Sequence, residues 1–329
     1  MASADGSAET GPRTGARLWL SRFRDRETWT AYLFILPWVI GFVALTAGPM
    51  FASLYFSFTD YGVEQIAGFE ETRRVGIDNY RELLDDPKVV TSLMNTFVYT
   101  VMSVPAKMVV ALALAMILAR LAFAAGFFRT VFYLPDITPP VAIGIMILVL
   151  FNGSFGIVNA VLDPVLGVFG REPPFWTTDP DWIKPSLAIM SVWTVGGTMV
   201  IYLAALKAVP SHLYEAASID GAGPWRRFVN ITLPMISPAL FFTFIVLTIN
   251  GLQTFTEVYT AFFGEGSAGA EDPDAALMNV VYLFRQAFEF FNMGFASAMA
   301  WLLFALIMMV TAVQFLVSRR FVFYQGEKR

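Results

Sequence analysis

The sequence predicts an all-α integral membrane protein that crosses the bilayer six times. Hydrophobic residues make up 57% of the 329 residues and charged residues only 15%, with a mean hydropathy of +0.61. Charged residues are about a quarter of a typical soluble domain, so this composition indicates a chain surrounded by lipid. A helix needs about 20 apolar residues to cross a hydrocarbon core of roughly 30 Å. Six stretches are long enough: residues 30–58, 91–121, 127–151, 185–209, 238–263 and 294–317.

The membrane domain predicted from these stretches covers residues 30–323 and lies between two tails, 1–29 and 324–329. The first tail is rich in Gly, Ala, Ser and Arg and is predicted to be disordered. If it faces the cytoplasm, the inner segments carry 14 of the 22 Lys and Arg residues and the outer segments carry 7, while Lys107 lies within a stretch. Positive residues accumulate on the cytoplasmic side of membrane proteins. The sequence therefore predicts that both tails are cytoplasmic.

The composition also excludes several kinds of site. There is no cysteine and only one histidine, His212, which excludes disulfides, thiolate metal sites and most histidine-based metal or catalytic sites. The chain contains no Gly-Lys dipeptide, so the phosphate-binding loop GxxxxGKS or GxxxxGKT is absent. We therefore predict that the chain is not an enzyme and holds no metal or cofactor. Any ATP on which it depends is expected to bind another polypeptide.

A charged segment interrupts the apolar sequence between the fourth and fifth stretches. It contains EAASIDGAGPWRRFVNITLP and covers residues 210–234. Pro210 ends the fourth helix because proline cannot continue it. Gly221 suits the left-handed turn that closes a short helix, and Pro224 suits the first turn of a second helix that runs to Leu233-Pro234. We therefore predict a rigid helix–turn–helix, called the elbow, which projects from the bilayer and docks on another protein.

The residue spacing in the elbow resembles the EAA loop of permease subunits in binding-protein-dependent ABC importers. The pattern is Glu-Ala-Ala, three residues, Gly, nine residues, Ile, one residue and Leu-Pro. It is met by Glu215, Ala216, Ala217, Gly221, Ile231, Leu233 and Pro234, with Asp220 directly before the glycine. An ordinary connector between two spans is the alternative, and it does not require this spacing.

Four other stretches narrow the resemblance to the carbohydrate-importing branch, which includes the maltose and glycerol-phosphate permeases. They are YLFILPWVIGFVALTAGPMFASLYFSFTDY, GIDNYRELLDD, GFFRTVFYLPDITPP and GFASAMAWLLFALI. The resemblance extends from Tyr32 to Val322 and leaves out only the first tail.

The resemblance implies a type I ABC importer permease fold and a set of partners. The elbow would form a coupling helix in a cleft of a cytoplasmic ABC ATPase dimer, which binds ATP and Mg²⁺. Glu215 would pair with a basic group there, and Gly221 would permit the turn. A second homologous permease subunit would complete the pore, and an extracytoplasmic solute-binding protein would deliver the sugar. The chain would lie in the bacterial plasma membrane, in contact with the lipid bilayer and not with nucleic acid.

Three ionisable residues lie within the predicted spans: Lys107, Asp136 and Glu257. Each costs several kcal/mol if it is left unpaired near the centre of the bilayer. Lys107 and Asp136 lie on the second and third spans, which a short connection makes antiparallel neighbours. We predict a structural ion pair between these two residues, with a role in the transport pathway as the alternative.

Polar residues of the fifth span recur at helical spacing: Asn250, Gln253, Thr254 and Glu257, followed by Tyr259. Sugars are bound by polar side chains that pair with hydroxyl groups and by aromatic faces that cover C–H surface. In the resembled family this part of the fifth span lines the substrate path, so we predict sugar contacts along this stripe. Polar packing between helices is the alternative. The chain departs from relatives that carry a TGGGP turn after this point, because it has FFGEGSAGAEDPD.

Three alternative functions make different predictions. A permease for a phosphorylated polyol or another small solute would share the fold and the elbow. A stand-alone secondary transporter would need intramembrane carboxylates for ion coupling and internal repeats, and would not need the elbow. A membrane-embedded enzyme would need a cluster of catalytic groups, which one histidine, no cysteine and three scattered charges do not supply.

Overall fold

The computed structural model describes residues 26–121, 125–264, 273–320 and 322. Within these ranges the chain is almost entirely helical, with a single isolated β-bridge, so the all-α prediction is confirmed. The chain divides into two compact units, one that ends at Phe56 and one that begins at Ser57. Residues 1–25 and 324–329 of the predicted tails lie outside the described residues, and helix already begins at Arg26.

The helices of each unit have the following bounds. The first unit contains α1 Arg26–Phe42 and α2 Gly48–Phe56, joined by a π-helical turn, Val43–Ala47. The second unit begins with α3 Val63–Ile66, α4 Asp78–Asp85, α5 Pro87–Arg120, α6 Ala125–Tyr133, α7 Pro140–Leu150, α8 Ile157–Gly167, α9 Pro180–Trp193, α10 Gly196–Ala208 and α11 Ser211–Ile219. It continues with α12 Pro224–Arg227, α13 Leu233–Leu252, α14 Thr256–Phe262, α15 Pro273–Ala276, α16 Asn279–Phe284 and α17 Met293–Ser318.

Helices that can cross a membrane account for most of the described chain. Four helical runs are long and apolar enough: Trp29–Phe56, Pro87–Arg120, Pro224–Phe262 and Met293–Ser318. Two bent pairs, α6 with α7 and α9 with α10, meet the same requirement when each pair is taken together. The described residues therefore contain six spans if each bent pair counts as one, which agrees with the predicted number.

The first of the two bends occurs where prolines interrupt helical hydrogen bonding. The first turns the chain by 94° between α6 and α7, where Pro135, Pro139 and Pro140 each lack a backbone N–H. The second turns it by 52° at Thr194 and Val195, between α9 and α10. The third and fourth spans are therefore broken helices, and not the continuous ones that the sequence predicts.

The two bends contact each other through their backbones. A Cβ added at Gly196, the first residue of α10, would lie 2.5 Å from the carbonyl oxygen of Phe132 and 2.6 Å from Cα of Tyr133. The backbone N–H of Gly197 donates a hydrogen bond to the carboxylate of Asp136, with 3.1 Å between nitrogen and oxygen. The third and fourth spans are therefore joined at the points where each is broken.

The largest hydrophobic core surrounds the first turns of α5, where α4, α7, α9 and α14 to α17 meet. Polar contacts reinforce this end of the molecule. Asp86 caps α5 by accepting a hydrogen bond from the N–H of Lys88 at 2.8 Å, and it also accepts one from the hydroxyl of Tyr282. Burial, and then this hydrogen bond, raise the pKa of Tyr282 to about 12. The start of α5 is therefore fixed to α16 by a half-buried polar contact.

Candidate functional site

The first arm of the elbow is α11, which ends in a tight left-handed turn. The N–H groups of Gly221 and Ala222 donate to the carbonyl oxygens of Ser218 and Ala217, at 3.1 and 2.8 Å. Gly221 has a φ of +72°, and no other atom lies within 4 Å of the position that its Cβ would take. The turn therefore needs glycine for its backbone conformation and not for space.

The second arm begins at Pro224 and continues without interruption into the fifth span. α12 leads through a π-helical turn, Phe228–Thr232, directly into α13. Leu233 and Pro234 therefore lie inside one helical run, whereas the sequence predicts that they end the second helix. The wider π turn comes immediately before Pro234, whose missing N–H removes one bond of the ordinary helical pattern.

Two hydrogen bonds brace the arms of the elbow. The hydroxyl oxygens of Tyr214 and Thr232 are 2.9 Å apart and join α11 to the π turn. Arg227 Nε donates to the carbonyl oxygen of Ala222 at 2.7 Å, which fixes the start of the second arm to the turn. The elbow is therefore held as one piece by contacts across both arms.

The exposed surface of the elbow combines an acid with large apolar side chains. Glu215, Ala216 and Asp220 are exposed, as the docking prediction requires. Ile219 is 88% exposed and Trp225 is 75% exposed, and exposed apolar side chains of this size indicate a protein interface. Sequence analysis missed these two residues, although an isoleucine and a tryptophan in a polar segment between spans are a usable signal. Of the other elbow residues of the motif, Gly221 is exposed and the rest are half-buried: Ala217, Ile231, Leu233 and Pro234.

A polar cavity of about 290 Å³ lies at the far end of the helical run that starts at the elbow. α13 ends at Leu252, the chain leaves helical conformation over residues 253–255, and α14 begins at Thr256. The predicted polar stripe is therefore interrupted and is not one helical face. Four of its five residues nevertheless line the same cavity: Asn250, Gln253, Thr254 and Glu257.

Close packing against α5 accompanies the end of α13. A Cβ added at Gly251 would lie 2.9 Å from Oγ1 of Thr100, so the side chain of Thr100 packs directly against the backbone of α13 there. The N–H of Gln253 is then shared between the carbonyl oxygens of Ile249 and Asn250, at 3.1 and 3.2 Å. Shared hydrogen bonds of this kind are common at helix ends. Here the shared bond closes α13 at Gln253, which lies in the wall of the cavity.

Tyr259, the fifth residue of the predicted stripe, is not among the residues that line the cavity. Its hydroxyl donates to Oε1 of Glu289 at 3.2 Å. Its ring centroid lies 5.3 Å from that of Phe255 and 5.0 Å from that of Phe284. These contacts correspond to packing between helices, because the interruption after Leu252 rotates Tyr259 away from the cavity.

Lys107 lies in the cavity wall together with Glu257. The predicted ion pair with Asp136 is not formed: ion pairs among the described residues join Arg to Glu or Asp over three or four positions, and none includes Lys107. Asp136 lies in a 3-10 helical turn, Leu134–Ile137, that continues α6 up to the bend, and its carboxylate accepts a hydrogen bond from the N–H of Gly197.

Hydroxyl groups from two other spans complete the polar wall. Tyr99 and Ser103 of α5 and Ser191 of α9 line the cavity together with Thr254. Phe255 adds an aromatic surface. Hydroxyl and amide groups both donate and accept, so this wall suits a ligand with several hydroxyl groups. Sequence analysis missed the three hydroxyls, whose only signal is a polar side chain inside an apolar span.

Comparison with known proteins identifies similar chains of the same length. The family model described as "Binding-protein-dependent transport system inner membrane component" matches residues 111–323. A probable ABC transporter permease protein, YesP of Bacillus subtilis (strain 168), is 38% identical over 94% of this chain and 96% of its own. The lactose transport system permease protein LacF of Rhizobium radiobacter is 33% identical over 93% and 98%.

Solved structures share the fold. A bacterial alginate ABC transporter, in complex with its alginate pentasaccharide-bound periplasmic protein, contains a chain that matches with a TM-score of 0.75. The identity is 22%, and the match covers 92% of this chain and 98% of that chain. The likeness extends over nearly the whole of both chains.

Proposed function

We propose a function from the premise that this chain belongs to the family of binding-protein-dependent transport system inner membrane components. The resemblance predicted from the sequence is thereby confirmed, and the chain is a membrane-spanning permease component of such a system. The proposal is that it forms one half of the translocation pathway of an ATP-driven carbohydrate importer, which works by alternating access.

One structural observation carries the proposal: a single helical run joins the elbow to the polar cavity. The run extends from Pro224 through the π turn to Leu252, or ~42 Å at 1.5 Å per residue. A displacement of the elbow is transmitted along this run, because a hydrogen-bonded helix resists changes of length. The run ends where the chain unwinds at residues 253–255, in the wall of the cavity.

The cavity supports carbohydrate as the substrate. Its lining provides hydroxyls, two amide side chains and two aromatic rings, together with one ammonium group, Lys107, and one carboxylate, Glu257. A wall with balanced charge suits an uncharged sugar better than a phosphorylated polyol, which would need uncompensated cations. The lactose permease LacF, at 33% identity, is consistent with this choice. Asn250, Gln253, Thr254 and Glu257 are the proposed sugar contacts.

The elbow is the proposed docking site for the ATPase. Glu215 pairs with a basic group of a cytoplasmic ABC ATPase dimer, and the exposed side chains of Ile219 and Trp225 enter an apolar cleft on either side of it. ATP and Mg²⁺ bind to that ATPase, since this chain lacks a phosphate-binding loop. Closure of the ATPase dimer moves the elbow, and the helical run moves the cavity wall.

The proposed orientation places the elbow and both tails in the cytoplasm, in a bacterial plasma membrane. The distribution of 14 Lys and Arg residues on the elbow side and 7 on the other supports this orientation. A second homologous permease closes the open side of the cavity, and an extracytoplasmic solute-binding protein delivers the sugar. The family description and the periplasmic protein of the alginate complex support these partners.

Charge reversal at the elbow tests the proposal. Glu215→Lys changes an exposed side chain and should release the ATPase from the detergent-purified transporter, because a basic group would then face a basic group. We expect the affinity of the ATPase to fall about tenfold or more, measured by its stoichiometry after affinity purification. Glu64→Lys, the same change at an exposed position outside the elbow, is the matched control. Full retention of the ATPase by Glu215→Lys, or equal loss in the control, contradicts the docking role.

A further inference from the structure

We propose that a second cavity, beneath the elbow, binds the headgroup of an anionic phospholipid of the inner leaflet. The cavity has a volume of about 410 Å³ and lies between the last turn of α5, the end of α10 and both arms of the elbow. Its lining includes Met116, Arg120, Leu206, Tyr214, Arg227 and Phe228. The inference rests on the orientation proposed above, which places this cavity at the cytoplasmic surface of the membrane.

The charge of this cavity is positive and uncompensated. Arg120 and Arg227 both line it, and no aspartate or glutamate is among its lining residues. Neither arginine forms an ion pair with any residue that the structure describes. Two guanidinium groups near one cavity without a carboxylate provide the donor geometry that recognises a phosphate group.

The position of Arg227 prepares it for such a ligand. Its Nε donates to the carbonyl oxygen of Ala222 at 2.7 Å, which fixes the plane of the guanidinium. The two terminal nitrogens take no part in that bond. A guanidinium that is already oriented loses less conformational freedom when it binds, so the contact gains affinity.

The rest of the lining indicates a lipid and not a free phosphate ion. Met116, Leu206 and Phe228 form an apolar wall beside the two arginines. A free phosphate ion gains nothing from that wall, whereas the glycerol and acyl chains of a phospholipid bury apolar surface against it. Arg120 is the last residue of α5 and Leu206 lies near the end of α10, so the cavity lies at headgroup depth. Basic pockets between spans on the cytoplasmic side are typical sites for anionic lipid headgroups.

A lipid in this cavity would connect the elbow to the membrane part of the protein. Arg120 belongs to the second span and Arg227 to the second arm of the elbow, so one phosphate that contacts both would bridge them. Anionic lipid is therefore inferred to stiffen the connection through which the ATPase acts.

Lipid retention by the complete transporter tests the inference. The transporter is exchanged into nanodiscs of phosphatidylcholine with or without phosphatidylglycerol, and retained lipid is counted by native mass spectrometry. We expect preferential retention of phosphatidylglycerol, weakened about fivefold by Arg120→Gln or Arg227→Gln. Arg226→Gln is the matched control, because Arg226 is exposed, adjacent and equally charged but does not line the cavity. Arg120→Gln keeps the test decisive, since the side chain of Arg120 forms no hydrogen bond or ion pair with a described residue whose loss could destabilise the fold.

Three results would overturn the inference. They are equal retention of phosphatidylcholine, an equal effect of Arg226→Gln, and full displacement of the lipid by millimolar inorganic phosphate. The orientation is tested separately with Ser218→Cys, the only thiol in a chain without cysteine. Labelling of that thiol by an impermeant maleimide in intact cells would refute the orientation, whereas lost lipid selectivity with a protected thiol refutes only the lipid site.

Discussion

Substitution of Gly221 separates backbone conformation from space at the turn of the elbow. The residue has a φ of +72°, and the position of a Cβ is free of any atom within 4 Å. An added Cβ therefore meets no neighbour, and its cost is that of the left-handed backbone. That cost is about 1–2 kcal/mol for an L-residue, less for asparagine and more for a β-branched residue.

The structure thus predicts a graded series at this position. Gly221→Asn should retain most of the coupled activity, Gly221→Ala should lose about fivefold, and Gly221→Val should lose tenfold or more. The assay is ATP-driven uptake into proteoliposomes that contain the whole transporter, with the ATPase rate of the same preparation as the reference. Because the turn positions Ile219 and Trp225, uptake per ATP should fall in the same order.

The order of coupled uptake among the three variants tests whether the left-handed backbone sets the cost. If alanine and valine are as active as glycine, the left-handed turn is not needed for coupling. If asparagine is as defective as valine, the cost comes from contacts with a partner surface and not from the backbone. Either result contradicts the reasoning, provided that the amount of inserted protein is the same in each preparation.

Three further predictions concern the cavity and the packing around it. Gln253→Ala and Glu257→Gln should each raise the KM for sugar uptake about tenfold, because each removes a hydrogen bond to the sugar. Unchanged uptake kinetics would show that these side chains serve only in packing between helices. Tyr282→Phe should lower the unfolding free energy by about 2 kcal/mol, since it removes the hydrogen bond to Asp86; a thermal melt checks this. The pKa of Tyr282 is about 12 in the folded protein against 10.0 normally, so this contribution persists below pH 10 and disappears as the pH rises through 12. Gly196→Ala should destabilise the protein by several kcal/mol because its Cβ would overlap the backbone of α6; a folded yield equal to wild type would contradict this.

The sequence predicts the fold class and the turn of the elbow because both depend on local patterns. Apolar length alone identifies the spans, and Gly221 with Pro224 identifies the turn. The sequence did not predict the bends of the third and fourth spans, although Pro135, Pro139 and Pro140 mark the first of them. A window of about 20 residues averages hydropathy and is insensitive to the hydrogen bonds that prolines remove.

The environment of Lys107 could not be predicted from the sequence because it depends on tertiary structure. Lys107 and Asp136 lie at similar depths along two neighbouring spans of the sequence, which suggests that they pair. In the structure the third span is bent by 94°, and the carboxylate of Asp136 accepts a hydrogen bond from the backbone N–H of Gly197. The unwound residues 253–255 have no proline among them, and only the approach of Gly251 to Thr100 marks the place. Such contacts arise from packing between distant segments, which a single sequence does not encode locally.

The contact between the bends has a consequence for how such a permease can acquire new substrates. Its closest approaches are those of Gly196 to the backbone of Phe132 and Tyr133 and of the N–H of Gly197 to Asp136. None of these residues lines the cavity, so the lining side chains can be exchanged during evolution without loosening the attachment of one broken helix to the other. A change of solute preference then requires substitutions in the lining alone, while the framework that carries it is inherited intact.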